Sequence, residues 1–332
     1  MTTIEHRSFS CEYIHSAQGM SPSFRNFDHL TQAAPTASVF GKLIISGEHA
    51  AVYGADAFAI PAKMFSLDVS LKQNSQSNRV TFNGSNFEGT LGNIIHEAVE
   101  ILELPSDSLF DCSVETNIPL GAGLGASAAI SVALTRALSD MYGLALSKQE
   151  IFLVSNQLEK HFHGSPSGLD ASVVAFERPV LFSKTTGIKV IEKDLNAGKL
   201  SLIAIDSGAR ASTKDMIETA RPSFNGPSSK RILKEFNDAT SRSLQGYITG
   251  DAKELASGMN LSYELLNEIG VVSQKLEGIC KKARELGCYA AKPTGAGGGG
   301  FVIGLCANEK AESITMMMNE EFEKDSSYIV SI

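Results

Sequence analysis

A glycine-rich turn near the middle of the chain restricts the possible folds more than any other feature of the sequence. It reads Pro119-Leu-Gly-Ala-Gly-Leu-Gly-Ala-Ser127, with glycine at three alternate positions. Residues 112–118, just before it, alternate between apolar and polar side chains in the period of a half-buried strand. Apolar residues then recur about every four positions as far as Met141, and Gly143 follows as a C-cap. The pattern predicts a strand, a tight turn and a helix that begins near Ala126.

This turn is a candidate phosphate site because it brings backbone N–H groups and the N-terminus of a helix to one point. Phosphate is attracted to such a point by hydrogen bonds and by the helix dipole. Glycine is required because a Cβ would keep the phosphate away from the backbone. A turn that only packs the helix against the strand is the structural alternative.

Dinucleotide-binding folds use a similar motif. Gly121-x-Gly123-x-x-Ala126 satisfies the G-x-G-x-x-G/A fingerprint, and so does Gly295-Ala-Gly-Gly-Gly-Gly300. That fold also needs an acidic residue about 20 positions on, at the end of a second strand. Asp140 has the spacing but falls in the last turn of the predicted helix, which disfavours this alternative. A Walker A motif is absent, because Thr36 stands where its first glycine should precede Gly41-Lys42.

The charge of the chain limits its partners. Its 332 residues carry 29 Lys and Arg against 37 Asp and Glu, a net charge of -8. Nucleic acids and anionic membranes require a basic face, so neither is expected as a partner. No apolar run approaches the roughly 18–20 residues that span a bilayer, and the five cysteines form no C-x-x-C pair. We expect a cytoplasmic protein with reduced thiols.

Hydrophobic periodicity predicts an α+β protein with two units. Residues 1–34 are polar and aperiodic and are expected to form a poorly ordered extension. A first domain is predicted over 35–185 and a second over 186–332. Strands are predicted at 43–45, 65–71, 80–82, 112–118, 200–206 and 301–305, and helices at 91–104, 126–141, 147–162, 230–247, 251–267 and 271–286.

Two oxygen-bearing side chains near the turn are candidate Mg²⁺ ligands. Ser127 lies in the first turn of the predicted helix, where its hydroxyl could instead cap that helix. Glu159 lies at the edge of the apolar face of the next helix, where a carboxylate is costly unless a cation meets it. Mg²⁺ prefers oxygen ligands and takes only one or two of them from protein side chains.

Asp170 and Lys42 are candidates for acid–base chemistry. Asp170 ends the run His163-Gly-Ser-Pro-Ser-Gly-Leu-Asp170, which predicts a rigid turn that presents the carboxylate from a loop. An Asp can accept the hydroxyl proton of an acceptor in phosphoryl transfer, although it could also merely cap the next segment. Lys42, predicted to open a strand, would keep a nearby carboxylate ionised; a surface lysine is the alternative.

Together these segments resemble the GHMP kinases, named for galactokinase, homoserine kinase, mevalonate kinase and phosphomevalonate kinase. Residues 119–129 look like the family's ATP-phosphate loop, and Lys292-Pro-Thr-Gly-Ala-Gly-Gly-Gly-Gly300 looks like its C-terminal glycine loop. Phe40 departs from the family's usual proline at that position. The resemblance spans residues 36–310 and implies an N-terminal mixed sheet with helices, a C-terminal antiparallel sheet with helices, and an active site between them. The ATP-binding residues that it implies are Pro119, Gly121, Ala122, Gly123, Leu124, Gly125, Ala126, Ser127, Gly295 and Gly297.

Two segments are most similar to the mevalonate kinase branch of the family. They are Gly47-Glu-His-Ala-Ala-Val-Tyr-Gly54, in which Ala51 replaces the Asp that handles the sugar in galactokinases, and residues 163–170. The resemblance implies that Asp170 is the catalytic base and that Lys42 assists it. It also implies metal ligands at Ser127 and Glu159, and substrate contacts at Glu48, His49 and Thr213.

The reaction implied by the resemblance is Mg²⁺-dependent transfer of the ATP γ-phosphoryl group to the 5-hydroxyl of mevalonate. Mevalonate and ATP are thus the expected partners, and the sequence is compatible with a homodimer without indicating one. Another acceptor such as phosphomevalonate, or a non-catalytic ligand-binding homologue, remains an alternative.

Overall fold

A mixed sheet forms the centre of the N-terminal unit. The computed structural model describes residues 3–4, 35–74, 76–87, 89–163, 166–192, 199–322 and 326–332. Within them the sheet has eight strands in the order β1-β8-β7-β3-β6-β4-β5, with β2 paired to β3. Only β4 and β6 run parallel among these described pairs. The strands are β1 (Thr3–Ile4), β2 (Thr36–Ser46), β3 (Ala57–Asn74), β4 (Arg79–Phe82), β5 (Ser85–Asn86), β6 (Leu109–Thr116), β7 (Val180–Ser183) and β8 (Gly187–Val190).

The long strand β3 organises this sheet by pairing with β2, β6 and β7. Its side chains are alternately buried and partly exposed from Phe65 to Leu71, as the sequence predicts. Strand β2 continues through a register shift between Phe40 and Gly41. Lys42 therefore lies within β2, and the prediction that it opens a strand is wrong, because the bulge at Phe40 bends the strand without ending it.

Helices of the N-terminal unit pack against the first sheet. The largest of them, α2, is buried along most of its length, as expected for a helix with small and apolar residues on nearly every face. The predicted helix over 147–162 begins with the capping box of Ser147 and Glu150 but is divided at Glu159. The helices are α1 (Thr90–Ile101), α2 (Ala126–Met141), α3 (Lys148–Leu158), α4 (Lys160–His163) and α5 (Leu169–Phe176).

The C-terminal unit combines an antiparallel sheet with five described helices. The sheet has the order β10-β11-β9-β12, and helices α7 and α8 pack so closely that Gly246 touches the backbone of Leu255. Its strands are β9 (Leu200–Asp206), β10 (Ala290–Thr294), β11 (Phe301–Ala307) and β12 (Ser327–Ser331). Its helices are α6 (Thr213–Asn225), α7 (Ser229–Thr249), α8 (Ala252–Glu268), α9 (Gln274–Glu285) and α10 (Asn308–Glu321).

The α+β prediction is confirmed, but the sequence did not predict several short or polar elements. The strands β7 and β8 have four residues each, and helix α6 contains Pro222. Strand β8 pairs with the first sheet, so we propose that the first domain extends beyond residue 185, at least to Val190. The predicted N-terminal extension lies outside the described residues, apart from β1.

Two further expectations from the sequence concern the cysteines and membrane-spanning segments. The four described cysteines, Cys112, Cys280, Cys288 and Cys306, are free and buried. Burial raises the pKa of Cys112 to about 12, so this thiol stays protonated at neutral pH. In the part of the chain that the structure describes, no helix is long and apolar enough to cross a membrane.

Candidate active site

The two glycine loops pack against each other at the junction of the two sheets. Gly121, Gly123 and Gly125 have φ values of +69°, +81° and +77°, which L side chains rarely adopt. A Cβ on Gly123 would lie 3.0 Å from the carbonyl oxygen of Thr294 and 3.2 Å from the Cα of Gly295. The loop before α2 and the loop after β10 therefore form one backbone cradle. Gly297 lies apart from it, packed on Val271.

Lys42 and Asp170 form an ion pair beside this cradle. The Lys42 Nζ lies 3.0 Å from Asp170 Oδ1, and the Lys42 side chain is only 2% exposed. Its backbone N–H donates a 2.9 Å hydrogen bond to the carbonyl oxygen of Leu124. A Cβ on Gly125 would lie 2.9 Å from Lys42 Cγ. The glycine there leaves room for the lysine stem to pass the loop and reach Asp170.

Asp170 is carried by a helix, and the prediction that it lies on a loop is wrong. It occupies the first turn of α5, which starts after Gly168 at φ +90°. The left-handed glycine turns the chain sharply enough for the helix to begin at Leu169. The carboxylate therefore has the fixed position of a helical residue, and its other oxygen is available to the cavity because the Asp170 side chain is 36% exposed.

Ser127 and Glu159 meet between α2 and the end of α3. The Ser127 hydroxyl donates a 3.0 Å hydrogen bond to Glu159 Oε2, and the Ser131 hydroxyl donates one of 3.0 Å to Oε1. His163 Nε2 lies 3.1 Å from Ser127 Oγ. No side chain caps α2, so the capping alternative for Ser127 is not realised.

The Glu159 carboxyl is neither fully protonated nor fully ionised near neutral pH. Burial raises its pKa to about 7, against the opposing hydrogen bonds from Ser127 and Ser131. Near neutral pH the group is therefore divided between the neutral and the ionised form. A cation at this point would favour the ionised form, so the pair suits a metal ion that accepts oxygen ligands.

Glu48 and His49 join the first unit to the second glycine loop. The buried Lys292 ammonium donates a hydrogen bond to Glu48 Oε1 and one of 2.6 Å to the carbonyl oxygen of Pro293. The other carboxylate oxygen, Glu48 Oε2, is inaccessible and has no hydrogen-bond partner among the described residues. His49 Nε2 is 2.8 Å from the carbonyl oxygen of Ala296, and burial lowers the His49 pKa. Glu48 thus faces Lys292, while His49 borders the cavity as a neutral imidazole.

Two adjoining cavities open onto these groups. The first, of about 430 Å³, is lined by the glycine loops, Lys42, Ser127 and Asp170. The second, of about 780 Å³, is lined by His49, Glu159, Asp170 and Thr213. These sizes suit small ligands. The predicted site residues therefore converge on one place, except Gly297, which lines neither cavity.

The described residues contain no group of three or more His, Cys, Asp and Glu side chains that could hold a metal ion by themselves. That finding disfavours a closed zinc-type site in this part of the chain. It does fit Mg²⁺, which keeps several waters and needs only one or two protein oxygens beside phosphate. Ser127 and Glu159 offer such oxygens next to the glycine cradle.

Some residues of this site were missed by sequence reasoning. Lys292 and Thr294 belong to the segment that resembles the C-terminal glycine loop but were not predicted as site residues, and Ser131 has no distinctive local pattern. The Thr294 hydroxyl accepts a 2.8 Å hydrogen bond from the Ile44 N–H. Contacts across about 250 residues of sequence, such as this one, cannot be inferred from spacing alone.

Comparison with known proteins agrees with this geometry. The family model described as GHMP kinases N terminal domain matches residues 93–178, and the GHMP kinases C terminal model matches residues 236–324. The mevalonate kinase of Methanothermobacter thermautotrophicus is 32% identical over 281 residues, which cover 82% of this chain and 90% of the relative. The chain belongs to the GHMP kinase family.

Solved structures show the same fold. The L. major mevalonate kinase in complex with R-mevalonate has a TM-score of 0.74 and 22% identity, covering 90% of this chain and 95% of the other. A Streptococcus pneumoniae phosphomevalonate kinase in complex with phosphomevalonate and AMPPNP has a TM-score of 0.75 and 15% identity, with coverages of 89% and 100%. The fold is therefore shared by kinases with different acceptors and does not distinguish between them.

Proposed function

We propose that this chain transfers the γ-phosphoryl group of ATP to the primary 5-hydroxyl of mevalonate. The observation that carries the proposal is the Lys42–Asp170 ion pair, at 3.0 Å, beside the glycine cradle. A cradle alone would indicate only phosphate binding. A carboxylate held beside it and left partly open to the cavity adds a group that can receive a hydroxyl proton.

The glycine loop before α2 binds the phosphates of ATP in this proposal. Its positive-φ glycines leave the backbone N–H groups accessible, and the sixteen-residue helix α2 begins at its end. Gly295 supports the loop from the other side. Ser127 and Glu159 would hold Mg²⁺, which when bound neutralises charge on the triphosphate.

Asp170 acts as the general base. As the acceptor oxygen forms its bond to the γ-phosphorus, the bond from that phosphorus to the ADP oxygen breaks and the hydroxyl proton passes to the Asp170 carboxylate. Lys42 keeps that carboxylate ionised and holds it in place through the ion pair. The remaining contribution of the protein is positioning and electrostatic stabilisation.

The acceptor occupies the second cavity in this proposal. His49 and Thr213 line that cavity and supply hydrogen-bonding groups, while Glu48, inaccessible at both oxygens, holds Lys292 and so fixes the position of His49. Ala51 replaces the residue that handles a sugar in galactokinases. The similarity to curated mevalonate kinases, at 32% identity for the Methanothermobacter protein, supports mevalonate over the other acceptors of the family.

An assay of ADP release tests the proposal. Purified protein with ATP and Mg²⁺ is offered mevalonate, phosphomevalonate, galactose, homoserine and shikimate in turn. We expect turnover with mevalonate at a kcat/KM far above those of the other four. Absence of turnover with mevalonate, or a clear preference for phosphomevalonate, contradicts the proposal; no turnover with any acceptor favours the non-catalytic alternative.

A further inference from the structure

The second cavity, which is proposed to hold the acceptor, carries an unbalanced positive charge at Lys214, in the first turn of α6. The charged side chains among its described lining residues belong to two groups, four carboxylates and two cations. They are Glu48, Glu159, Asp170, Glu218, Lys214 and Arg221. The partners of these six side chains determine which charge is left for a ligand.

Nearly all of these charges are already compensated. Asp170 is paired with Lys42 and Glu48 with Lys292. Arg221 Nη2 lies 2.7 Å from Glu218 Oε1 on the same helix.

The two carboxylate oxygens of Glu159 accept hydrogen bonds from the Ser127 and Ser131 hydroxyls. His49, whose pKa is lowered by burial, adds no charge. His163, at the mouth of the cavity, is engaged with Ser127.

Lys214 differs from every other charged group of the cavity lining. Its ammonium has no ion pair or hydrogen bond with any residue that the structure describes. The neighbouring Asp215 lies outside the cavity lining, and its backbone N–H donates to the Ser212 hydroxyl. The described walls of the cavity therefore present one uncompensated cation to whatever binds there.

We propose that Lys214 binds the carboxylate of the acceptor and selects a hydroxy acid over a neutral polyol. This inference rests on the proposed function, since it assigns the anionic end of the molecule whose hydroxyl meets Asp170. A single free cation matches one carboxylate better than the additional phosphate of a phosphorylated hydroxy acid. A charge-assisted hydrogen bond of this kind contributes about tenfold or more to affinity.

The test compares two acceptors with three variants. The acceptors are mevalonate and 3-methylpentane-1,3,5-triol, in which a neutral hydroxymethyl group replaces the carboxylate. The variants are Lys214→Met, which keeps the length of the side chain without its charge, Lys214→Arg, which keeps the charge, and the control Lys230→Met. Lys230 is an exposed lysine of α7 outside the cavity lining.

We expect Lys214→Met to lower kcat/KM for mevalonate about tenfold or more and to leave that for the triol nearly unchanged. Lys214→Arg should retain most of the preference for mevalonate, and Lys230→Met should behave like the wild type. Equal losses with both acceptors would show a structural role, and no loss with mevalonate would show that Lys214 does not bind it. Either result overturns the inference while leaving the proposed function intact.

Calorimetric titration of mevalonate separates the two proposals further, because it requires no turnover. Weaker binding to Lys214→Met than to the wild type supports the carboxylate site even if the kinase assay fails. Equal binding to both proteins, or no binding to either, contradicts it.

Discussion

The Asp170 carboxylate is held by an ion pair and is also accessible from the cavity. One oxygen is held by a buried lysine at 3.0 Å, and more than a third of the side chain remains open to the cavity. The resemblance to the GHMP kinases implied that Lys42, Asp170, Ser127 and Glu159 belong to one site. It did not predict that Asp170 is helical or that Glu159 is almost fully buried, because both depend on how α3 and α5 pack.

Replacement of Asp170 tests its role as base. Asp170→Asn should lower kcat with mevalonate by about 10²–10⁴-fold, because the amide cannot accept the hydroxyl proton. The Kd for ATP should change little, since the glycine loop is untouched. Asp238→Asn, on the exposed side of α7, is the matched control. A kcat for Asp170→Asn within about tenfold of the wild-type value would show that Asp170 is not the general base.

Glu159 makes the stability of the metal-free protein depend on pH. Its pKa rises from an ordinary 4.5 to about 7 in the folded state because of burial. The folded state therefore holds the proton more tightly, and the destabilising cost of ionising Glu159 develops as pH rises from 4.5 to 7. Above that window the cost approaches about 3 kcal/mol.

Glu159→Gln should accordingly be more stable than the wild type at pH 8 and nearly equal to it at pH 4.5. The measurement is the free energy of unfolding in urea with EDTA present. Glu312→Gln, at an exposed position, controls for the loss of one surface charge. A stability difference that does not change between the two pH values would contradict the assignment.

At the scale of elements, the two glycine loops act as one unit because their backbones touch. Each loop was predicted from sequence by its composition and by the strand or helix beside it. The resemblance implied that both loops serve the nucleotide site, but local sequence patterns could not predict their direct backbone contact, because Gly123 and Gly295 lie far apart in the sequence. The helix α6, which supplies Thr213 and Lys214, was also missed, because Pro222 and its polar surface obscure the helical period.

Two alanine substitutions in the first loop should therefore differ. Gly121→Ala and Gly123→Ala both impose strain of about 1–2 kcal/mol at positive φ. A Cβ at Gly121 meets no atom within 4 Å, whereas one at Gly123 lies 3.0 Å from the Thr294 carbonyl oxygen. We expect Gly123→Ala to lose about 1–3 kcal/mol more, measured as the free energy of unfolding without nucleotide. Equal losses of unfolding free energy in the two variants would show that contact with the second loop does not restrict the size of the side chain at position 123.

At the scale of the molecule, the C-terminal unit completes the site of the N-terminal one. Strand β10 contacts β2 through the Thr294 hydroxyl, and it contacts the turn that follows β2 through the buried pair of Lys292 and Glu48. Helix α7 adds a 3.0 Å hydrogen bond from Thr240 to Ser46. The α+β class and the presence of two sheets follow from periodicity and from the resemblance. The contacts between units do not, because single-sequence patterns report only local geometry.

The buried ion pair of Lys292 and Glu48 should make the stability of each unit depend on the other. Lys292→Met leaves Glu48 buried without its cation, and we expect a loss of about 3–5 kcal/mol in the free energy of unfolding at pH 8. The loss should shrink at lower pH, because burial raises the Glu48 pKa and protonation removes the uncompensated charge. Adding Glu48→Gln should restore part of the stability. A double variant as unstable as Lys292→Met would show that Lys292 does not stabilise the protein through its ion pair with Glu48.

The position of the phosphate on the product is the sharpest test of the proposed phosphoryl transfer. Protein, ATP, Mg²⁺ and mevalonate are followed by phosphorus NMR with proton coupling. We predict one phosphomonoester per ADP, with its resonance split by the two protons of a CH₂ group, as phosphorylation of the primary 5-hydroxyl requires. A phosphomonoester without that splitting, or ATP unchanged in the presence of mevalonate, would contradict phosphorylation of the 5-hydroxyl.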